Sequence, residues 1–187
     1  MTVVLSPGIH TPLYSERFWQ AITLTYGQHY PNHSLDKARI VTDAQNWGFS
    51  APHVFSFLQQ SLLPKQSICL IGFSAGVVGA IGAALGWHAT GGTVRAFIAV
   101  DGWGVPLYGP FPIYRLSHDA FTHWSSQPLG GGQASFYADP GVPHLDLWRS
   151  PHQAWGWFCT EGGSKTRSNA ASVICQLLHQ HECNSDY

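Results

Sequence analysis

Ser74 is framed by glycines two residues away on either side, in Gly72-Phe73-Ser74-Ala75-Gly76. A serine hydroxyl attacks a carbonyl only when a neighbouring base takes its proton, so this motif asks for a histidine and for a carboxylate to orient it. It also asks for a backbone shape. Small residues at both flanks allow a sharp, strained turn from strand to helix, which lifts the hydroxyl clear and leaves the Ala75 amide at the helix start to stabilise an oxyanion. Glycine-rich turns with no chemistry share the same string. Here, however, the string follows the apolar run 67–71 and precedes a helical stretch from Ala75 to about His88, which is the setting the chemistry needs.

The elements that would position such a turn recur along the chain. Residues 3–5 form an apolar run halted by Ser6-Pro7-Gly8, which predicts a strand entering a turn. Pro12 opens a predicted helix to about Thr25, with Leu13, Phe18, Ile22 and Leu24 on one broad face. A strand is predicted over 39–42, and Ser50 is placed to cap a helix through Phe55, Leu58 and Leu62 that ends at Pro64. Residues 67–71 and 94–100 read as strands buried on both faces, the second ending at Asp101. Weaker strands are predicted over 112–116 and 134–138. A last helix is predicted from about Ser168 to His181, with Val173, Leu177 and Leu178 inward. Strands alternating with helices in this way predict an α/β fold of one domain over 1–187, a three-layer sandwich with a mostly parallel central sheet.

In this order of elements, and most specifically in Gly72-Phe73-Ser74-Ala75-Gly76, the chain resembles the α/β-hydrolase superfamily in its esterase, lipase and thioesterase branch. Asp101-Gly102-Trp103-Gly104 and the run 117–124 look like marks of small bacterial-type members. The resemblance implies a reduced hydrolase fold, a catalytic serine, a histidine after the last strand, an acid after an intervening strand, and no cofactor. His144, in the loop after the 134–138 strand, fits the base; His118 and His123 compete but precede that strand. Asp119, after the 112–116 segment, is the favoured acid, with Asp101 as the alternative; either carboxylate could instead cap nearby amides. Asp139 and Asp146 read as loop-fixing. A second oxyanion donor, besides Ala75, would come from Ser6-Pro7-Gly8-Ile9-His10, through the amide of Ile9 or His10. Trp103, Trp124, Trp148, Trp155 and Trp157 cluster in the second half and could line an apolar site or simply fill the core. Residues 103–112 are too few for a large helical lid, so an open site is expected.

Bulk properties narrow the alternatives. Of 187 residues 44% are hydrophobic and only 10% charged, against about 25% in an average soluble protein, which excludes a disordered chain. With 9 Lys+Arg against 10 Asp+Glu and no basic block, nothing is available to neutralise a run of phosphates, so nucleic acid is not an expected partner. The 11 histidines are scattered without a zinc-helix spacing, and no metal is expected. Cys69, Cys159, Cys175 and Cys183 form no CxxC pair and are read as reduced. The start lacks the basic and apolar segments of a leader, and no stretch nears the roughly 18 apolar residues of a membrane span. The expectation is therefore a cytoplasmic serine hydrolase for a small ester or thioester. Two alternatives remain beside it: a binding protein that kept the fold without activity, and an acyltransferase using the same serine.

Overall fold

Strands that are apolar on both faces need a cover on each side, and helices supply it. The computed structural model describes residues 1–183, which run through β1 (Thr2–Ser6), α1 (Pro12–His29), β2 (Arg39–Ile40), α2 (Ala44–Trp47), α3 (Ala51–Ser61), β3 (Ser67–Phe73) and α4 (Gly76–Ala89). They continue through β4 (Thr93–Val100), β5 (Ile113–Ser117), α5 (Ala120–Ser126), β6 (Ala134–Ala138), α6 (His144–Arg149), β7 (Trp155–Thr160), β8 (Lys165–Asn169) and α7 (Ala170–Cys183). All eight strands join one sheet in the order β2-β1-β3-β4-β5-β6-β7-β8. Period-two alternation divides its side chains between two cores. Val3, Leu5, Cys69, Ile71, Ala96, Ile98 and Val100 pack with Phe18 and Ile22 of α1, Trp148 of α6, and Val173 and Leu177 of α7. Val4, Ile68, Leu70, Phe97 and Ala99 pack with Val54 and Leu58 of α3 and Val77, Ala80 and Ala84 of α4. The layering is thus helices, sheet, helices, as the βαβ rhythm predicts.

Strands β1 to β6 pair in parallel, whereas β7 and β8 add antiparallel edge strands. The 134–138 strand is therefore not the last one, contrary to the sequence expectation. Two glycines of α4 allow close packing on the α3 region: a methyl group at Gly86 would lie 3.2 Å from the Phe55 ring, and Gly79 lies against Gly48 and Val54.

Parallel pairing of β4 with β5 usually takes a helical crossover of about a dozen residues or more. Here residues 101–112 make the connection without a helix. Leu107 and Phe111 bury into the α3–α4 side core, and Arg115 fastens the rest. Its buried guanidinium donates to the carbonyls of Gly102 (3.0 Å), Val105 (3.0 Å) and Gly130 (3.1 Å). Burial pulls its pKa down to about 10, and the three carbonyls are its compensation. No described helix is long and apolar enough to cross a membrane.

Candidate active site

Ser74 stands between the end of β3 and the start of α4 with φ of 52°, left-handed backbone that a residue with a β-carbon rarely adopts. Its amide is tied to the Val100 carbonyl at the end of β4 (2.9 Å). The flanking glycines are needed for close approach: a methyl group at Gly72 would lie 2.9 Å from the Val77 α-carbon, and one at Gly76 would collide with the carbonyls of Ser6 and Pro7. The turn is therefore pressed onto both its own helix and the 6–8 loop, as the motif predicts.

Across the turn, the Ser74 Oγ lies 3.0 Å from Nε2 of His144, the first residue of α6. The other ring nitrogen, Nδ1, makes a short hydrogen bond to Oδ2 of Asp101. Asp101 follows β4 directly, has φ of 56°, and buries its side chain to 1% exposure. Serine, imidazole and carboxylate are thus joined in the order that proton transfer requires.

The favoured acid of the sequence reading, Asp119, takes a different position. Its Oδ1 accepts from the Thr122 amide at 2.7 Å, capping α5, and its Oδ2 lies 3.5 Å from Nε2 of His118. Burial raises the Asp119 pKa, but the bonds from the Thr122 amide and hydroxyl and the neighbouring His118 outweigh it, so the carboxyl titrates below its usual range. The physical reason for the exchange is register. Val100 pairs with Leu116, and the Asp101 amide donates to the Leu116 carbonyl (2.7 Å), so Asp101 sits at the strand ends beside residues 117 and 118. Asp119 is one step beyond, where the chain is already turning into α5.

The rival bases separate. His118 contacts Asp101 rather than Ser74, its Nδ1 lying 2.9 Å from Oδ1 and 2.8 Å from Oδ2. His123 is buried against Trp124 and Tyr137, away from this cluster.

Three backbone amides were expected as donors to an oxyanion. Among the described residues neither the Ala75 nor the Ile9 amide finds an acceptor, whereas the His10 amide donates to the Gly8 carbonyl (3.1 Å). The Gly8 backbone presses against Ser74, since a methyl group there would lie 2.9 Å from the serine β-carbon. Of the two expected second donors, Ile9 is therefore the one whose N–H is uncommitted. The His10 ring sits among Tyr14, Phe73 and Trp148; burial lowers its pKa despite the bond to the Thr11 carbonyl, and nearby His144 lowers it further.

Ser74, Asp101 and His144 open onto a groove of about 460 Å³ walled by Val78, Trp103, Val105 and Phe121. A cavity of about 420 Å³ behind the Pro7–Gly8 bend is lined by Glu16, Val41 and Asp43 and includes none of those three groups. Of the five tryptophans named from the sequence, only Trp103 walls the groove; it is 62% exposed, and its indole N–H donates to the Ser125 hydroxyl (3.0 Å). Trp148 is core, stacked on Phe18 at 3.7 Å. Trp124, Trp155 and Trp157 lie outside the groove. Asp101, His118 and His144 each offer a ligand atom within 4.8 Å of the others, and both imidazoles are hydrogen-bonded to the carboxylate. No protein-family model matches the chain, and no curated protein matches it.

Proposed function

We propose that the chain is a serine hydrolase of the α/β-hydrolase type, cleaving small ester or thioester bonds through an acyl group carried on Ser74. The single observation that carries this reading is the continuous contact from Ser74 Oγ to His144 Nε2 at 3.0 Å and from His144 Nδ1 to the buried Asp101 carboxylate. In the first half-reaction Ser74 Oγ bonds to the carbonyl carbon while its proton passes to His144 Nε2. The carbonyl oxygen gains the negative charge and faces the amides of Ala75 and Ile9. Collapse of this intermediate breaks the bond to the leaving alcohol or thiol, which takes the proton back from His144. Water then repeats the sequence, giving its proton to His144, and release of the acid restores the serine hydroxyl.

Asp101 keeps the imidazole in the tautomer whose Nε2 can accept, and its charge stabilises the imidazolium as that forms. The groove supports a substrate class as well. Val78, Trp103, Val105 and Phe121 give it an apolar wall, Asp101 and Asp119 are its charged groups, and among the described residues no lysine or arginine lines it, so a neutral acyl or aryl group fits and a phosphorylated carrier finds no counter-charge. Water reaches the open groove freely, which favours hydrolysis over transfer to a second alcohol. The assembled contact likewise counts against a fold that lost its site. Three unpaired thiols agree with a cytoplasmic setting; the Cys183 side chain lies outside the described residues.

Turnover of p-nitrophenyl esters of short acids tests this directly. The wild-type chain is expected to hydrolyse them, and Ser74→Ala is expected to lose at least about 10⁴-fold in kcat. Equal turnover by the two proteins would place the reaction elsewhere.

A further inference from the structure

Asp101 is shared by two imidazoles. We propose that His118 is a positioning residue for the serine-hydrolase site, acting by locking the Asp101 carboxylate so that Oδ2 presents to His144; this inference rests on the proposed activity of Ser74.

A carboxylate has two oxygens and about four acceptor sites, and the His144 ring occupies only one of them. With that bond alone, the terminal torsion of an aspartate is broad and the carboxylate can swing. His118 closes that freedom from two directions. Its backbone amide donates to Asp101 Oδ1 at 3.1 Å, and its Nδ1–H lies across both oxygens, 2.9 Å from Oδ1 and 2.8 Å from Oδ2. The carboxylate is thereby held from the β5 side while His144 is held from the α6 side.

His118 is itself tied down through its backbone. Its carbonyl accepts from the Val142 amide (2.9 Å), which ties it to the loop that delivers His144, and its Nε2 faces Asp119 Oδ2 at 3.5 Å. The two rings stand nearly perpendicular at 82°, so each addresses the carboxylate without stacking on the other. Asp101 also needs such support for its backbone, because φ of 56° at a non-glycine residue is held only where the surroundings determine it. A donor placed merely to satisfy a buried carboxylate would do as well from any side. This one bridges the strand end that carries the acid and the loop that carries the base.

The roles separate by substitution. Asparagine at 118 keeps a side-chain N–H close to where Nδ1–H stood; leucine keeps bulk and removes the donor. His118→Leu is expected to lower kcat on a short-chain p-nitrophenyl ester by about 10–100-fold with KM little changed, because a base displaced by a fraction of an ångström weakens the chemical step rather than binding. His118→Asn is expected to recover most of that loss. The far-downfield proton resonance of the His144–Asp101 bond should broaden or vanish in His118→Leu and persist in His118→Asn. Thermal melts report folding of both variants; if the leucine variant does not fold, the asparagine variant decides alone, supporting the proposal if kcat stays within about threefold of wild type and overturning it otherwise. A leucine variant with wild-type kcat, or an asparagine variant as impaired as a folded leucine variant, overturns it too. Labelling of wild-type Ser74 by a fluorophosphonate, run in parallel, separates the layers: no labelling removes the underlying activity and this inference with it, whereas labelling at an unchanged rate in His118→Leu removes this inference alone.

Discussion

His118 and His144 meet at one carboxylate, whereas His123, a turn beyond His118, meets none among the described residues. The Asp101 cluster is half-open, with side-chain exposures of 25% and 42% for His118 and His144 over a carboxylate at 1%. His123 lies against Trp124 and Tyr137 with ring centroids at 4.7 and 4.8 Å, its Nδ1 has no hydrogen-bond partner among the described residues, and Gln127 offers Nε2 at 3.3 Å. Burial, with Lys165 and Arg115 nearby, pushes its pKa down to about 4. One residue type thus takes two states within a short stretch of chain. Where a buried acid faces it, imidazole is held against the carboxylate; where aromatic rings surround it, imidazole is a neutral packing group.

The sharpest way to break this contrast is at the acid. Asp101→Asn should lower kcat by about 10³–10⁴-fold, because an amide stabilises neither the required tautomer nor the imidazolium. Asp119→Asn should cost less than about tenfold, since asparagine also caps the amide of Thr122 and α5 survives. Steady-state kinetics on one ester compares the two, and the reverse ranking would return the acid to Asp119. A smaller effect tests the loop facing the serine. Gly8→Ala should lower kcat by about 10–100-fold while leaving a cooperative melt, because the new methyl group would lie 2.9 Å from the Ser74 β-carbon and must displace the Ile9 amide.

The smallest effect concerns stability at the other histidine. The fold favours neutral His123, so its contribution is fully present above the unfolded value near 6.5 and is lost as pH falls from there toward about 4. Between pH 7 and pH 5 this amounts to about 1–2 kcal/mol, or a few degrees in Tm for a chain of this length. His10 and His181, also lowered by burial, act in the same direction. Melting curves of wild type and His123→Gln at the two pH values should show a smaller acid-side drop in the variant; an identical drop would mean that His123 is not held neutral by its surroundings.

Much of this arrangement was legible in the sequence, and the reasons are local. Apolar runs at 67–71 and 94–100 mark β3 and β4, the Ser50 cap and Pro64 bound α3, and the elbow glycines mark the turn at Ser74 because their signals are short-range. His144 was readable as well, from its place after a strand. Asp101 was readable only as the alternative to Asp119, because which of the two faces His144 depends on how β4 registers against β5, a long-range property that neither segment carries alone. Edge strands β7 and β8 were missed for a different reason. In β7 the buried positions are Gly156 and Phe158, so one of the two inward signals is a residue with no side chain, and β8 is the polar run Lys-Thr-Arg-Ser-Asn at the sheet edge. Short α5 and α6 carry too few turns for periodicity to show.

The central claim is that the Ser74 hydroxyl is activated by His144, and covalent labelling measures this most directly. A fluorophosphonate should attach to the wild-type chain, with mass mapping placing the adduct on Ser74, and labelling should fall to background in Ser74→Ala and by orders of magnitude in His144→Ala. An adduct on another residue, or a rate indifferent to the loss of either side chain, would contradict the account.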